Sequence, residues 1–133
     1  MDEKTDIIKN INPFDQNRLY YYDEYFASFI NLFNKNKLPQ VNLITGQKGI
    51  GKSTFIFHLI NYFLSSNEEF PYCLKNFIIN ISNKSYKLIK NNVHPNYFLV
   101  EKKKNSKFID IEQIRTMLNY LNLSVYNKNF RFI

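Results

Sequence analysis

Residues 46–54 read Gly46, Gln47, Lys48, Gly49, Ile50, Gly51, Lys52, Ser53, Thr54. The first eight fit G-x-x-x-x-G-K-[ST], the pattern of a loop whose backbone N–H groups wrap a phosphate chain. The residue types suit that chemistry. Glycine lets the backbone come close to an anion, a lysine cation reaches the β- and γ-phosphates, and a serine hydroxyl takes a place on Mg²⁺. Lys52 and Ser53 are expected in those two roles, with Thr54 beside the α-phosphate of bound ATP. The placement of glycine sharpens the reading. The chain has 133 residues and three glycines, all within positions 46–51. Average usage would give about nine, scattered through turns and caps. A sequence this sparing is expected to keep glycine where a Cβ would obstruct something. The plain alternative is an ordinary glycine turn.

The elements around the loop must present it. Val41-Asn42-Leu43-Ile44-Thr45 is a short run after Pro39 that reads as a buried strand. Residues 53–64 are apolar nearly all round, which predicts a buried helix whose N-terminal dipole end faces the loop. Upstream, Asp23 is expected to cap a helix running to Asn34, with Tyr22, Tyr25, Phe26, Phe29, Ile30 and Phe33 at helical spacing. Downstream, residues 72–92 leave the choice open, with 77–79 fitting a strand and 85–91 a short helix. Residues 97–100 read as a buried strand, and 101–105 as a solvated loop. Asp110 caps a further helix with Gln113 as capping-box partner. That helix should turn Ile111, Ile114, Leu118 and Leu121 inward. Tyr126 to Asn129 is a turn, and 130–133 starts another strand.

Alternating strands and helices predict an α/β fold: a P-loop parallel sheet flanked by helices, truncated after its third or fourth strand. Residues 1–11 are set apart as a polar N-terminal segment, and 12–133 as the N-terminal part of one such domain in a longer protein.

Composition excludes other classes. With 44% hydrophobic and 22% charged residues, the chain is no disordered tail, collagen or coiled-coil rod. The aromatic load (10 Tyr, 13 Phe) is not read as a binding stripe. A net charge of +7 suits a partner carrying phosphates. One cysteine, Cys73, permits neither an internal disulfide nor a zinc cluster. No apolar run is long enough to cross a bilayer and the start, Met1-Asp2-Glu3-Lys4, is too polar for a signal peptide, so a cytoplasmic location without membrane contact is expected.

A P-loop hydrolase also needs an acid at the end of a second strand. Glu101 ends an apolar run, but it leads into Lys102-Lys103-Lys104, a solvated loop. The acid is therefore expected beyond Ile133, and no catalytic residue is assigned within the chain. The lysines with Lys107 read as a charged loop rather than a nucleic-acid contact. His58 reads as a packed histidine, His94 as no metal ligand, and Cys73 as a minor packing residue.

Several segments recur in one order: Asn12-Pro13 and Leu19-Tyr20, Lys37-Leu38-Pro39, Gly46 to Thr54, His94-Pro95-Asn96-Tyr97-Phe98-Leu99-Val100-Glu101, and Ile109 to Arg115. In these the chain resembles the N-terminal AAA+ region of the delta-prime subunit of bacterial DNA polymerase III, a clamp-loader component. The resemblance implies an ATP-binding subunit, with Gly46 to Thr54 as the nucleotide loop and Asn12 to Tyr22 along the adenine. It implies other clamp-loader subunits, the sliding clamp and primed DNA as partners. Two departures stand out. The usual Gly-His before the first helix is Tyr21-Tyr22 here. The four zinc-binding cysteines of related subunits are reduced to Cys73, so no zinc module is expected. The intact loop points to nucleotide binding rather than to independent turnover. The gamma/tau clamp-loader subunit, another P-loop ATPase or kinase, and a scaffold with a relic loop stay as alternatives.

Overall fold

Where apolar residues fall at helical spacing, helices form: α1 (Asp23–Asn34), α2 (Lys52–Ser65), α3 (Lys84–Lys90) and α4 (Ile111–Leu121). The structure, a computed structural model, describes residues 12–126, 128 and 130–133. The expected segment 1–11, with Asn127 and Asn129 of the expected last turn, lies outside these. The chain divides into two compact units, residues 1–86 and 87–133, the division falling inside α3.

The expected fold class is not what forms. Among the described residues there is no strand and no parallel sheet. Three isolated bridges take their place: Arg18 with Ile78 and Cys73 with Ile78, both antiparallel, and Tyr97 with Phe132, parallel. The reason lies in how a strand is held. A helix closes its hydrogen bonds within one segment, whereas a strand takes all of them from neighbours. Residues 41–45 make no backbone–backbone bond to any described residue, and Val41 and Leu43 stand 87% and 86% exposed. Phe77, the first residue of another expected strand, has φ 51°, which an extended chain cannot contain. Residues 97–100 and 130–133 do meet. Among the described residues one backbone bond joins them, Phe98 N–H to the Phe132 carbonyl, and a second, from Phe132 N–H, goes to the carbonyl of Asn96 just before the run, each 2.9 Å.

The first unit is built on α2, which buries nine of its residues, among them Phe55, Phe57, His58, Phe63 and Leu64. Aromatic rings surround it. Phe26 of α1, completely buried, packs edge-on to Phe55, Tyr62 and Phe77 and stacks on Tyr72 with centroids 5.4 Å apart. Phe33 meets Phe63 at 4.2 Å, and Phe14, in a short 3-10 turn (Pro13–Asp15), meets Phe57 at 4.9 Å. Rings so arranged add to the burial of their area, so part of the aromatic load of the sequence is spent in this core, while Tyr21, Tyr25 and Phe108 stay exposed. Glu68 ties the start of α3. Its carboxylate accepts from Asn83 Nδ2 (2.6 Å), the Ser85 N–H (3.0 Å) and the Ser85 hydroxyl (2.6 Å).

In the second unit α4 is capped by Asp110, whose Oδ1 accepts the Glu112 N–H at 3.0 Å. Lys103 pairs with the same carboxylate at 2.8 Å and, with the Glu112 N–H, holds its pKa below the usual carboxylate range. The expected capping-box partner does something else. Gln113 exchanges two hydrogen bonds with the Glu101 backbone, accepting at 3.1 Å and donating at 3.0 Å, as a neighbouring strand would. Arg131 closes the far end of α4, donating to the Tyr120 and Leu123 carbonyls at 2.6 Å each. The expected inward face is not buried: Ile111, Leu118 and Leu121 are 62%, 51% and 42% exposed. Periodicity marks a face as apolar without supplying what covers it, and the sheet expected to receive this one is absent.

Candidate functional site

The segment 46–51 joins no regular element and delivers the chain into α2. Gly49 and Gly51 have φ 84° and 92°, in the left-handed region that residues with a Cβ rarely adopt. Space is not what demands glycine, contrary to expectation. A Cβ on Gly51 would meet nothing closer than Tyr22 at 3.7 Å, and one on Gly49 nothing within 4 Å. Conformation demands it.

That path leaves the helix start bare. Gly51 occupies the cap position and no side chain caps α2. Among the described residues, no backbone N–H from Gly46 to Thr54 donates to a protein acceptor; the first to do so is Phe55, to the Gly51 carbonyl at 2.9 Å. A helix start normally leaves up to four donors unpaired; here the loop adds its own. Lys52 folds back over them, its Nζ donating to the Gly46 carbonyl (2.8 Å) and the Gln47 carbonyl (2.7 Å). Lys48, Ser53 and the loop's Gln47 and Ile50 are exposed, while Thr54 is half-buried.

An open cavity of about 300 Å³ adjoins the loop. Gly49, Ile50, Gly51 and Thr54 line one side and Gln16, Arg18, Tyr20, Tyr21 and Tyr22 the other. The Arg18 guanidinium lies over the Tyr20 ring, 5.1 Å from its centroid. Tyr21 has φ 64°, so the chain turns sharply where the resemblance marks its departure.

His58 sits behind the loop in the core, fully buried. Its Nε2 lies 2.8 Å from the Gln16 carbonyl and its Nδ1 2.9 Å from the Tyr72 hydroxyl. A carbonyl can only accept, so Nε2 carries the proton and Nδ1 accepts from the tyrosine. Burial pulls the pKa down to about 4, outweighing the bond to Gln16. The ring is a neutral tie between α2 and the chain before α1.

The remaining candidates fall elsewhere. Cys73, expected to pack, is exposed. Glu101 belongs to the second unit and is exposed, its backbone held by Gln113. Lys102, Lys103 and Lys104 are exposed, as a solvated loop would be. His94 is buried, its Nδ1 accepting the Asn96 N–H at 3.0 Å. Asn96 in turn exchanges hydrogen bonds with the Tyr126 backbone in both directions. Sequence reasoning missed Glu68 and the contacts that Asn96, Gln113 and the hydroxyl of Tyr22 make, because their partners are distant in the chain. Among the described residues no group of three His, Cys, Asp or Glu could hold a metal ion. No described helix is long and apolar enough to cross a membrane.

Residues 22–133 match the family model described as DNA polymerase III, delta subunit. The chain belongs to this family, and its role is of the clamp-loader type within DNA polymerase III. No curated protein matches it, and no solved structure does.

Proposed function

We propose that the chain is a nucleotide-binding clamp-loader subunit of the delta-prime type, taking ATP with Mg²⁺ on the segment Gly46 to Thr54. The observation that carries this reading is the bare run of amides from Gly46 to Thr54, closed over by a lysine that has only carbonyls to hold. An anion is the natural partner for such a run. The residues present fit the group: the amides would cradle the phosphates, Lys52 would turn from the two carbonyls to the β- and γ-phosphates, and the exposed Ser53 hydroxyl would ligate Mg²⁺. The cavity beside Tyr20, Tyr21 and Tyr22 would border the base. Mg²⁺ supplies charge neutralisation to the phosphates when bound. In this reading the protein works with other clamp-loader subunits, the sliding clamp and primed DNA.

Two lysines of the same loop test it. Lys52→Ala removes a cation placed against the phosphates; charge-assisted contacts contribute about 1.5–3 kcal/mol, so ATP affinity should fall roughly tenfold to a hundredfold. Lys48→Ala, which removes equal charge from a position the motif leaves open, should lose far less. Equal losses in a nucleotide titration would mean that diffuse charge attracts the phosphates, and no binding by the unaltered protein would end the reading.

A further inference from the structure

The hydroxyl of Tyr22 donates to the Ile50 carbonyl at 2.6 Å, across 28 residues of chain. Its ring stacks on Phe55 in the first turn of α2, centroids 5.0 Å apart and planes at 27°. Tyr22 itself occupies the cap position of α1, where its side chain makes no capping bond. One side chain therefore joins the start of α1, the start of α2 and the loop between them.

We propose that Tyr22 is a positioning residue for the anion site: by holding the Ile50 carbonyl it fixes the Ile50–Gly51 peptide plane and so the direction of the Gly51 N–H. This rests on the nucleotide reading above. In a planar trans peptide the carbonyl and the N–H point opposite ways, and the chain contains no cis bond among the described residues. With the carbonyl held on Tyr22, the Gly51 N–H is turned away from the tyrosine. Gly51 sits at φ 92°, where glycine alone moves freely. Untethered, this peptide would rotate at little cost, and a rotated plane offers an anion an oxygen in place of an N–H.

The other end of the loop is held differently. There the Gly46 and Gln47 carbonyls are held by Lys52, a tie that a phosphate would have to break. The Tyr22 tie uses no group that a phosphate needs, so it persists when the site fills.

Tyr22→Phe keeps the stacking on Phe55 and deletes the donor. Tyr120→Phe is the control, since it removes a comparable hydroxyl bond, to the Pro95 carbonyl at 2.9 Å, in the second unit. Three measurements are made on each protein: the ¹⁵N order parameter of the Gly51 amide without ligand, the thermal midpoint, and an ATP titration. In Tyr22→Phe the order parameter should fall from the rigid range near 0.85 to below about 0.6. ATP affinity should drop roughly threefold to tenfold, with the thermal midpoint unchanged. Tyr120→Phe should change none of the three. An unchanged order parameter overturns the tether. A mobile Gly51 with unaltered ATP affinity overturns the positioning role, as does a loss of affinity that merely follows a lowered midpoint. Absence of ATP binding by the unaltered protein overturns the reading beneath and this one with it, an outcome distinct from equal binding by both proteins.

Discussion

α2 and α4 span fourteen and eleven residues, and they are held in opposite ways. α2 starts from a left-handed glycine with no capping side chain and is buried along most of its length. α4 starts from a capping aspartate, ends under an arginine, and buries no residue. A cap takes up amides that would otherwise be open to a ligand, so a helix meant to receive one has to draw its stability from packing. In α2 the packing is dense enough to spare the cap. In α4 the end contacts do more of the holding, and Asp110 takes up the Glu112 and Gln113 amides.

The contrast breaks most readily at Phe26, whose ring supports α2 from α1. Phe26→Ala should cost about 3–5 kcal/mol, read as a lower denaturant midpoint; a cost below about 1 kcal/mol would mean that α2 is not held by its core. His58 sharpens the same point through pH. The folded protein keeps this ring neutral down to about pH 4, while the unfolded chain takes up a proton near 6.5. Its contribution is therefore complete above pH 6.5 and is lost as the pH falls toward 4, by roughly 2–3 kcal/mol. Unfolding measured from pH 7 to 4.5 should show that slope, and His58→Gln should flatten it; equal slopes would refute the buried neutral ring. For α4 the sensitive position is its cap. Asp110→Ala should fray the first turn, visible as faster amide exchange along 111–121, with α2 unaffected. The smallest effect is expected on the apolar face. Leu118→Ala should stay within about 0.5 kcal/mol, and a core-sized loss would show that this face is covered.

What could be read from the sequence followed what is local. The four helices were legible because spacing, Asp110 and the residues flanking each run act within a few positions. Even so, Asp23 proved to lie inside α1, with Tyr22 in the cap position. The strands were not legible. Val41 to Thr45 carries every mark of a buried strand except neighbours, and neighbours are not a property of the segment. The same holds for the ties made by Gln113 and Asn96. Each side chain stands in for a strand's backbone, 12 and 30 residues from its partner, and no spacing rule registers it. The loop was legible as composition, since glycine occurs nowhere else. Its reason was not, because a φ of 92° cannot be told in advance from a tight contact.

One feature of the loop bears on which anions it would admit. Lys52 already holds two carbonyl dipoles, so an incoming ion is weighed against them and not against water alone. Under the nucleotide proposal a singly charged ion such as chloride or acetate would bring a single charge against those two contacts. A polyphosphate, with several charges spread over many oxygens, would bring more and would also meet the amides behind. Under that proposal the lysine would thus act as a resident competitor, setting a threshold of charge density for entry, and the two carbonyls it gave up would mark that something had crossed it.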